Sequence, residues 1–488
     1  MERIFKTAAG FSMALVLAAC GGGGGGSSQV SAEDRAASDQ NMVALAFADH
    51  DSNGVTATWS AGGKIDRGNP FFQPAGNGRS CASCHSVADG WSLTPESVRT
   101  RFDMSQGSDP LFMPHDGANS PLSDVSTQQA RESAYSLLLS KALIRIGMPV
   151  PAGEFELAAA DDPYRFASSA ELSLFRRPLP TTNLRFVANV MWDGRETPVD
   201  PQSSLCVLLT GSCFRSTPAS LASQAIGASR SHHQMAAGLS AADLDAIVQF
   251  ESGLFTARQS TAAAGDLTGA GARGGTGWLA TLNYYFGINN FDSGDYRTGA
   301  PFTTNVFTAF DAWSGNAASL ADPGISGSAA IAQTEARRSV ARGQAIFNGR
   351  PMFINNVPGM RSASIRGSCT SCHDAPNAGS SSTPLLVNIG TADGSRRTAD
   401  LPLYTLRNSQ TAQTVQVTDP GAAMTSGRWD DIGKFKVPVL RGIGARPPYF
   451  HNGSAADLRA VVEFYNERFA MSLSEQDMTD LTAFLSSL

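Results

Sequence analysis

The stretches that decide how this chain folds are Cys81-Ala82-Ser83-Cys84-His85 and Cys369-Thr370-Ser371-Cys372-His373. Both read Cys-x-x-Cys-His, the attachment signature of a c-type haem. Two thiols at that spacing add across the two vinyl groups of one porphyrin, and the imidazole that follows is placed to ligate its iron. The chain has seven cysteines and seven histidines in 488 residues, and that composition yields on the order of 10⁻³ such pentads by chance. The two pairs lie far apart in the chain, which argues against one shared zinc site. The expectation is two covalently bound haem c groups. Cys81, Cys84 and His85 hold one; Cys369, Cys372 and His373 hold the other.

Three cysteines remain. Cys206 and Cys213 flank Val-Leu-Leu-Thr-Gly-Ser, with a turn signal before the second thiol. In an oxidising compartment they are expected to form a disulfide, closing a short loop and stabilising by roughly 2–3 kcal/mol in the chain-entropy model. Cys20 ends Leu17-Ala18-Ala19-Cys20, which follows a positive start at Arg3 and Lys6 and an apolar run from Ala8 to Ala19. That reads as a lipoprotein signal peptide over 1–20, with Cys20 as the lipidation site. Residues 21–60 are a tether and lead-in that begins with Gly21–Gly26 and Ser27-Ser28, a flexible composition. Residue 21 is Gly and not Asp, which by likeness to sorted lipoproteins favours the outer membrane. The expected location is the periplasmic side of the cell envelope, with membrane contact through the lipid anchor only. A formal net charge of −6 with no basic block excludes nucleic acid as an expected partner.

Working outward, residues 61–260 are expected to form an N-terminal cytochrome c domain and 336–488 a C-terminal one. Between them, 261–335 is rich in Gly, Ala, Thr and Ser, with aromatic islands at Trp278, Tyr284-Tyr285-Phe286 and Phe307 to Trp313. It reads as a connecting insertion packed on the surface. Helix starts are signalled at Ser240-Ala-Ala-Asp243, Ser454-Ala-Ala-Asp457 and Ser472-Leu-Ser-Glu475. The first is followed by Leu244, Ile247, Val248 and Leu254 on one face. Alternating strand patterns are scarce. The expected fold class is therefore all-α: two haem domains with long loops and an irregular insertion.

Two further segments carry a resemblance. One is Asn189-Val190-Met191-Trp192-Asp193-Gly194-Arg195-Glu196. The other is Lys434-Phe-Lys-Val-Pro-Val-Leu-Arg441, continuing to Pro447-Pro-Tyr-Phe-His451-Asn-Gly453. With a Cys-x-x-Cys-His before each, the chain resembles the bacterial di-haem cytochrome c peroxidases and the related MauG-type enzymes. The resemblance covers most of 75–260 and 336–488 and leaves out 261–335. It implies a di-haem oxidoreductase in which the His85 haem reacts with H₂O₂ and the His373 haem relays electrons. The implied partners are H₂O₂ and an electron-donor protein, or an oxidisable protein or small-molecule substrate. The resemblance also implies that Trp192 sits between the haems and passes electrons.

The second axial position is informative. Fourteen residues after His451 falls Tyr465, where the peroxidases have Met and MauG-type enzymes have Tyr. An anionic phenolate there stabilises ferric and higher iron. The alternative is that Tyr465 is core, since it shares an apolar stripe with Leu458 and Val461; Met471 and Met478 compete as ligands. On the distal side, Leu221-Ala-Ser-Gln224-Ala resembles the family segment with a distal Gln, so Gln224 is a candidate site residue. The family's Glu ten residues later falls on Gln234, an amide that cannot act as a general base. His232 and His233 adjoin it, and His232 is the candidate acid/base. His115 is a candidate reversible sixth ligand to the first haem. Asn183 and the loop near Pro448 fall near where the family often binds structural Ca²⁺. A passive di-haem electron-transfer cytochrome and a di-haem oxygenase stand as alternatives.

Overall fold

A computed structural model describes residues 47–488. The signal peptide, Cys20 and most of the tether lie outside the described residues.

The all-α expectation is corrected. Among the described residues thirteen strands form five sheets beside ten α-helices. Strands β1 (Phe47–Asp51), β2 (Gly54–Ser60), β6 (Leu254–Thr261) and β7 (Gly265–Asp266) make an antiparallel four-stranded sheet. Strands β3 (Ile144–Met148) and β5 (Leu172–Arg176) pair, as do β8 (Met352–Asn355) and β9 (Ser364–Gly367), and β10 (Leu386–Val387) and β13 (Phe435–Lys436). A three-stranded sheet runs β12 (Thr414–Val417), β11 (Leu403–Asn408), β4 (Phe155–Asp161). It joins the residue ranges expected for the two haem domains. The sequence hid these strands for physical reasons. All five residues of β5 are buried, as are the first five of β6, and a strand covered on both faces shows no alternation. Strand β4 runs Leu-Ala-Ala-Ala, a composition that helices favour.

The helices begin near the expected signals. Ser240 accepts from the Asp243 N–H at 3.1 Å, starting Ala241–Ser252. The later two caps fall slightly downstream of their expected positions. Asp457 caps Leu458–Arg468, and Ser474 caps Glu475–Ser486. In each case the side chain that reaches the N3 amide decides the boundary.

The long helix Gly327–Gly349 crosses Glu475–Ser486 closely at Gly343. A β-carbon there would stand 2.0 Å from the Asp480 carbonyl oxygen, so only glycine fits. Phe307, Phe347 and Phe484 meet around this crossing with ring centroids 5.2–5.6 Å apart. The segment 261–335 was expected on the surface, yet Phe307, Phe310 and Trp313 are fully buried in the same core. Their apolar islands are spaced too irregularly for a helical or strand period, but burial needs only contact, which has no period. No helix among the described residues is long and apolar enough to cross a membrane.

Candidate functional site: two Cys-x-x-Cys-His pockets

The two signatures fold alike. Each is preceded by serine and has serine as its third residue, and each forms one 3-10 turn, Cys81–Ser83 and Cys369–Ser371. The Ser80 N–H donates to Ser83 Oγ at 3.0 Å, and the Ser368 N–H donates to Ser371 Oγ at 3.1 Å. The histidine amide then closes onto the first cysteine carbonyl, His85 to Cys81 at 3.0 Å and His373 to Cys369 at 3.1 Å. The imidazoles match too. His85 Nδ1 bonds the Trp91 carbonyl at 3.2 Å, and His373 Nδ1 bonds the Gly379 carbonyl. Both acceptors lie six residues downstream and both have left-handed backbone, φ 66° at Trp91 and 69° at Gly379. A carbonyl can only accept, so Nδ1 carries the hydrogen and Nε2 keeps its lone pair for a metal. Burial pushes both imidazoles down to about 4, so both are neutral ligands near pH 7.

Each turn opens on its own cavity. Both are lined mainly by apolar side chains, with the cysteines and the histidine of the turn on the wall. Burial pushes the thiols up, Cys81, Cys369 and Cys372 to about 12. They are thiols and not thiolates. Among the described residues no group of three or more His, Cys, Asp or Glu is placed to hold a metal ion between them.

The first cavity brings together Cys81, Cys84, His85, Trp192, Gln224 and His232, with His233 beside them. Gln224 comes from the helix Thr217–Ser231, whose end presents His232. His232 Nδ1 bonds Asp116 Oδ2 at 2.7 Å, and Arg79 Nη1 bonds both oxygens of that carboxylate at 2.6 and 2.7 Å. Burial works against ionising Asp116, but hydrogen bonds from His115 and His232 and the Arg79 charge outweigh it and hold the carboxyl well below its ordinary range. One expected candidate is elsewhere: His115 does not line the cavity, and its Nε2 stands 3.2 Å from Asp116 Oδ2. Gln234, the amide at the position of the family's Glu, does not line it either.

One residue of this pocket was missed. Glu251 lines it, is 3% exposed, and its Oε2 has no partner. Burial pushes its carboxyl up to about 8, so it is a neutral acid at pH 7. The signal was present: with Leu244, Ile247 and Val248 it completes an i, i+3, i+4, i+7 stripe, and an acid on an apolar stripe is buried by the helix period.

The second cavity brings together Cys369, Cys372, His373, Tyr465, His451 and Met471. Tyr465 stacks on Phe469 at 6.0 Å, and burial pushes its phenol up. Met478 is not on the wall; its sulfur lies 3.8 Å from Asn466 Nδ2.

Trp192, Arg177, Pro178, Lys436 and Val439 line both cavities. Trp192 Nε1 donates to the Arg177 carbonyl at 2.8 Å, and the Lys436 N–H donates to the Trp192 carbonyl at 2.8 Å. The adjoining Asp193 pairs with buried Arg176 at 2.6 Å, and Arg176 also pairs with Asp419 at 2.6 Å. The turn that carries the indole is tight: the Gly194 N–H donates to the Met191 carbonyl at 3.2 Å, with Met191 at φ 69° and Gly194 at φ 73°. The Trp-Asp-Gly-Arg motif is thus a clamp that fixes the indole in the partition.

The polar groups around the second cavity suit a haem. Arg446 Nη1 and His451 Nε2 are buried without partners on its wall, and Arg177 adds a guanidinium. Propionate carboxylates would satisfy such donors. The Ca²⁺ expectation does not fit. Asn183 is used up by the protein: its Nδ2 donates to the carbonyls of Thr256 at 2.7 Å and Arg441 at 3.2 Å, and its Oδ1 accepts from the Thr256 N–H at 2.9 Å. Arg446 Nη2 occupies the Arg441 carbonyl at 2.9 Å. A guanidinium stands where Ca²⁺ would need free oxygens.

The last expected pair, Cys206 and Cys213, is joined by a disulfide in a hairpin away from both cavities.

Paired thiols, a neutral imidazole and an apolar pocket, present twice, are the features that attachment of a c-type haem requires. No family model matches the chain. Cytochrome-c peroxidase IdrP1 of Denitromonas iodatirespirans is 29% identical over 167 residues, covering 30% of this chain and 39% of that protein. Cytochrome-c peroxidase IdrP1 of Pseudomonas sp. (strain SCT) is 28% identical over 170 residues, covering 31% and 40%. Over about a third of its length the chain is thus similar to proteins described as cytochrome c peroxidases. It spans about two fifths of the length of these curated relatives. A solved structure of a MauG-like protein associated with microbial copper homeostasis aligns at 16% identity over 80% of this chain and 88% of that one, with a TM-score of 0.30, too low to relate the two folds.

Proposed function

We propose that this protein is a peroxide-dependent di-haem oxidoreductase: the His85 pocket receives H₂O₂, and the His373 pocket passes electrons to it from a donor protein or oxidisable substrate. The observation that carries this reading is Trp192, clamped in the wall shared by the two pockets.

Bound haem supplies the redox-active iron, with axial ligation and distal polarity deciding its role. The chain's residues do the rest. His85 and His373 offer neutral Nε2 atoms, held in place by their Nδ1–carbonyl bonds. Gln224 offers an amide that orients peroxide, and His232 offers an imidazole that moves its proton. Pro178 and Val439 keep the partition apolar around the indole. Tyr465 ligates the second site in place of a thioether, which favours its oxidised state. A lipid on Cys20 holds the protein at the periplasmic face of the membrane; Cys20→Ser is expected to abolish labelling by a radioactive fatty acid.

The test is the purified ferric protein, made in a host that attaches haem. Its mass should show two porphyrin increments, and stoichiometric H₂O₂ should change its absorption and EPR spectra within seconds. Two inert low-spin haems would leave a passive electron carrier. Oxygen uptake with an added substrate and no peroxide would indicate an oxygenase.

A further inference from the structure

A peroxide-handling pocket needs a group that takes a proton from one oxygen and returns it to the other. His232 has the position, but an imidazole is useful only in the right tautomer, with the correct nitrogen free. We propose that Asp116 and His232 form a preorganised dyad, in which Asp116 is the positioning residue that makes His232 Nε2 the distal proton acceptor.

Four observations support the dyad, which rests on the peroxide reading above. The contact is direct, His232 Nδ1 to Asp116 Oδ2 at 2.7 Å. Asp116 is 4% exposed, so its field on the imidazole is weakly screened. Arg79, itself 1% exposed, clamps both carboxylate oxygens and further donates to the carbonyls of Pro110 at 2.6 Å and Leu111 at 2.7 Å. Finally, His232 lines the cavity that holds His85, Cys81 and Cys84, whereas Asp116 does not. A carboxylate held ionised can only accept, so Nδ1 carries the hydrogen and Nε2 the lone pair. The charged and titratable groups facing the dyad are Arg79, His115, His233 and, across the cavity, His85, Arg176, Arg177, Arg195, Lys436 and the buried acid Glu251.

The step balances. With haem bound, His232 Nε2 would accept a proton from one oxygen of HO–OH and, as the O–O bond breaks, return it to the other oxygen, which leaves as water. Two electrons, ultimately from the donor protein, and two solvent protons reduce the remaining oxygen to a second water.

The experiment uses the haem-loaded protein in its ferric form, with two probes: H₂O₂, and cyanide, whose acid form must also lose a proton to bind. Stopped-flow rates are measured from pH 5 to 8 for wild type, His232→Gln, Asp116→Asn and Asp116→Glu. General acid–base help is worth roughly 10²–10⁴-fold, so His232→Gln is expected to slow both probes by about 10²-fold or more. In Asp116→Asn the amide donates to Nδ1 and pins the hydrogen on Nε2, so it should approach His232→Gln and lose the wild-type pH dependence. Asp116→Glu should recover part of the rate. A structural role alone would shift the melting temperature and leave the pH profile intact, which would overturn the proposal. If Asp116→Asn fails to fold, His232→Gln at a 30% exposed side chain still decides: unchanged cyanide rates overturn the dyad. Conversion of a low-spin ferric haem to high spin in His232→Gln would make His232 an iron ligand and also overturn it. If wild type ignores peroxide while its cyanide rate still depends on both residues, the peroxide reading fails and the dyad stands.

Discussion

The Trp192 indole meets the His451 imidazole edge to face, with ring centroids 6.3 Å apart, and His451 stacks on Phe435 at 3.9 Å. Three aromatic rings thus form a continuous path from the partition into the second cavity. The Trp192→Phe variant keeps bulk in the wall but loses the indole and its bond to the Arg177 carbonyl. After peroxide addition, equilibration between the two haems is expected to slow about tenfold or more, equivalent to roughly 1.4 kcal/mol of barrier. Rapid-mixing spectroscopy at the two haem bands measures it. Equal rates in variant and wild type would show that electrons bypass the indole.

Tyr465 and Met471 both reach the second cavity, so ligand identity is a contest between an oxygen and a sulfur donor. Tyr465→Phe should abolish the tyrosinate charge-transfer absorption and raise the reduction potential of that haem, because an anionic ligand that stabilises ferric iron is lost. Met471→Leu should leave both unchanged. A tyrosinate band that survives in Tyr465→Phe, or one that disappears in Met471→Leu, refutes the assignment.

Asp193 links the partition to acid stability. Burial opposes its ionisation, but the Arg176 and Arg195 charges outweigh that and hold it down at about 2, against an ordinary 3.8. A carboxyl depressed in the folded state stabilises fully above its ordinary value and loses that contribution as pH falls toward the folded one. Stability owed to Asp193 is therefore present at pH 7 and lost between about pH 4 and pH 2. Asp193→Asn should cost about 3 kcal/mol at pH 7, the loss typical of a buried ion pair broken on one side. In urea titrations the gap between variant and wild type should close at pH 2–3. A gap that stays constant with pH would mean that the packing of Asp193, not its charge, stabilises the fold.

Some of this site could be read directly from the chain and some could not. The two Cys-x-x-Cys-His turns were legible because every interaction that shapes them spans a few residues: serine to serine, histidine to cysteine carbonyl, imidazole to the carbonyl six residues on. Glu251 was legible in principle from the helix period. Asp116 was not, because His-Asp-Gly reads as a turn and its partners Arg79 and His232 come from distant stretches. The strands escaped because those buried on both faces, or rich in alanine, lack the alternation that marks a half-exposed strand.

By itself the sequence determined the two Cys-x-x-Cys-His turns and singled out the tryptophan that lies between their cavities. It did so because covalent attachment depends on spacing along the chain. Tertiary structure alone decided that Trp192 lines both cavities, that Asp116 faces His232, and that a guanidinium fills the place expected for Ca²⁺. Those relationships join residues tens to hundreds of positions apart, and they exist only once buried charges such as Arg176, Asp193 and Asp419 have found one another in a medium where an unpaired ion is too costly to keep.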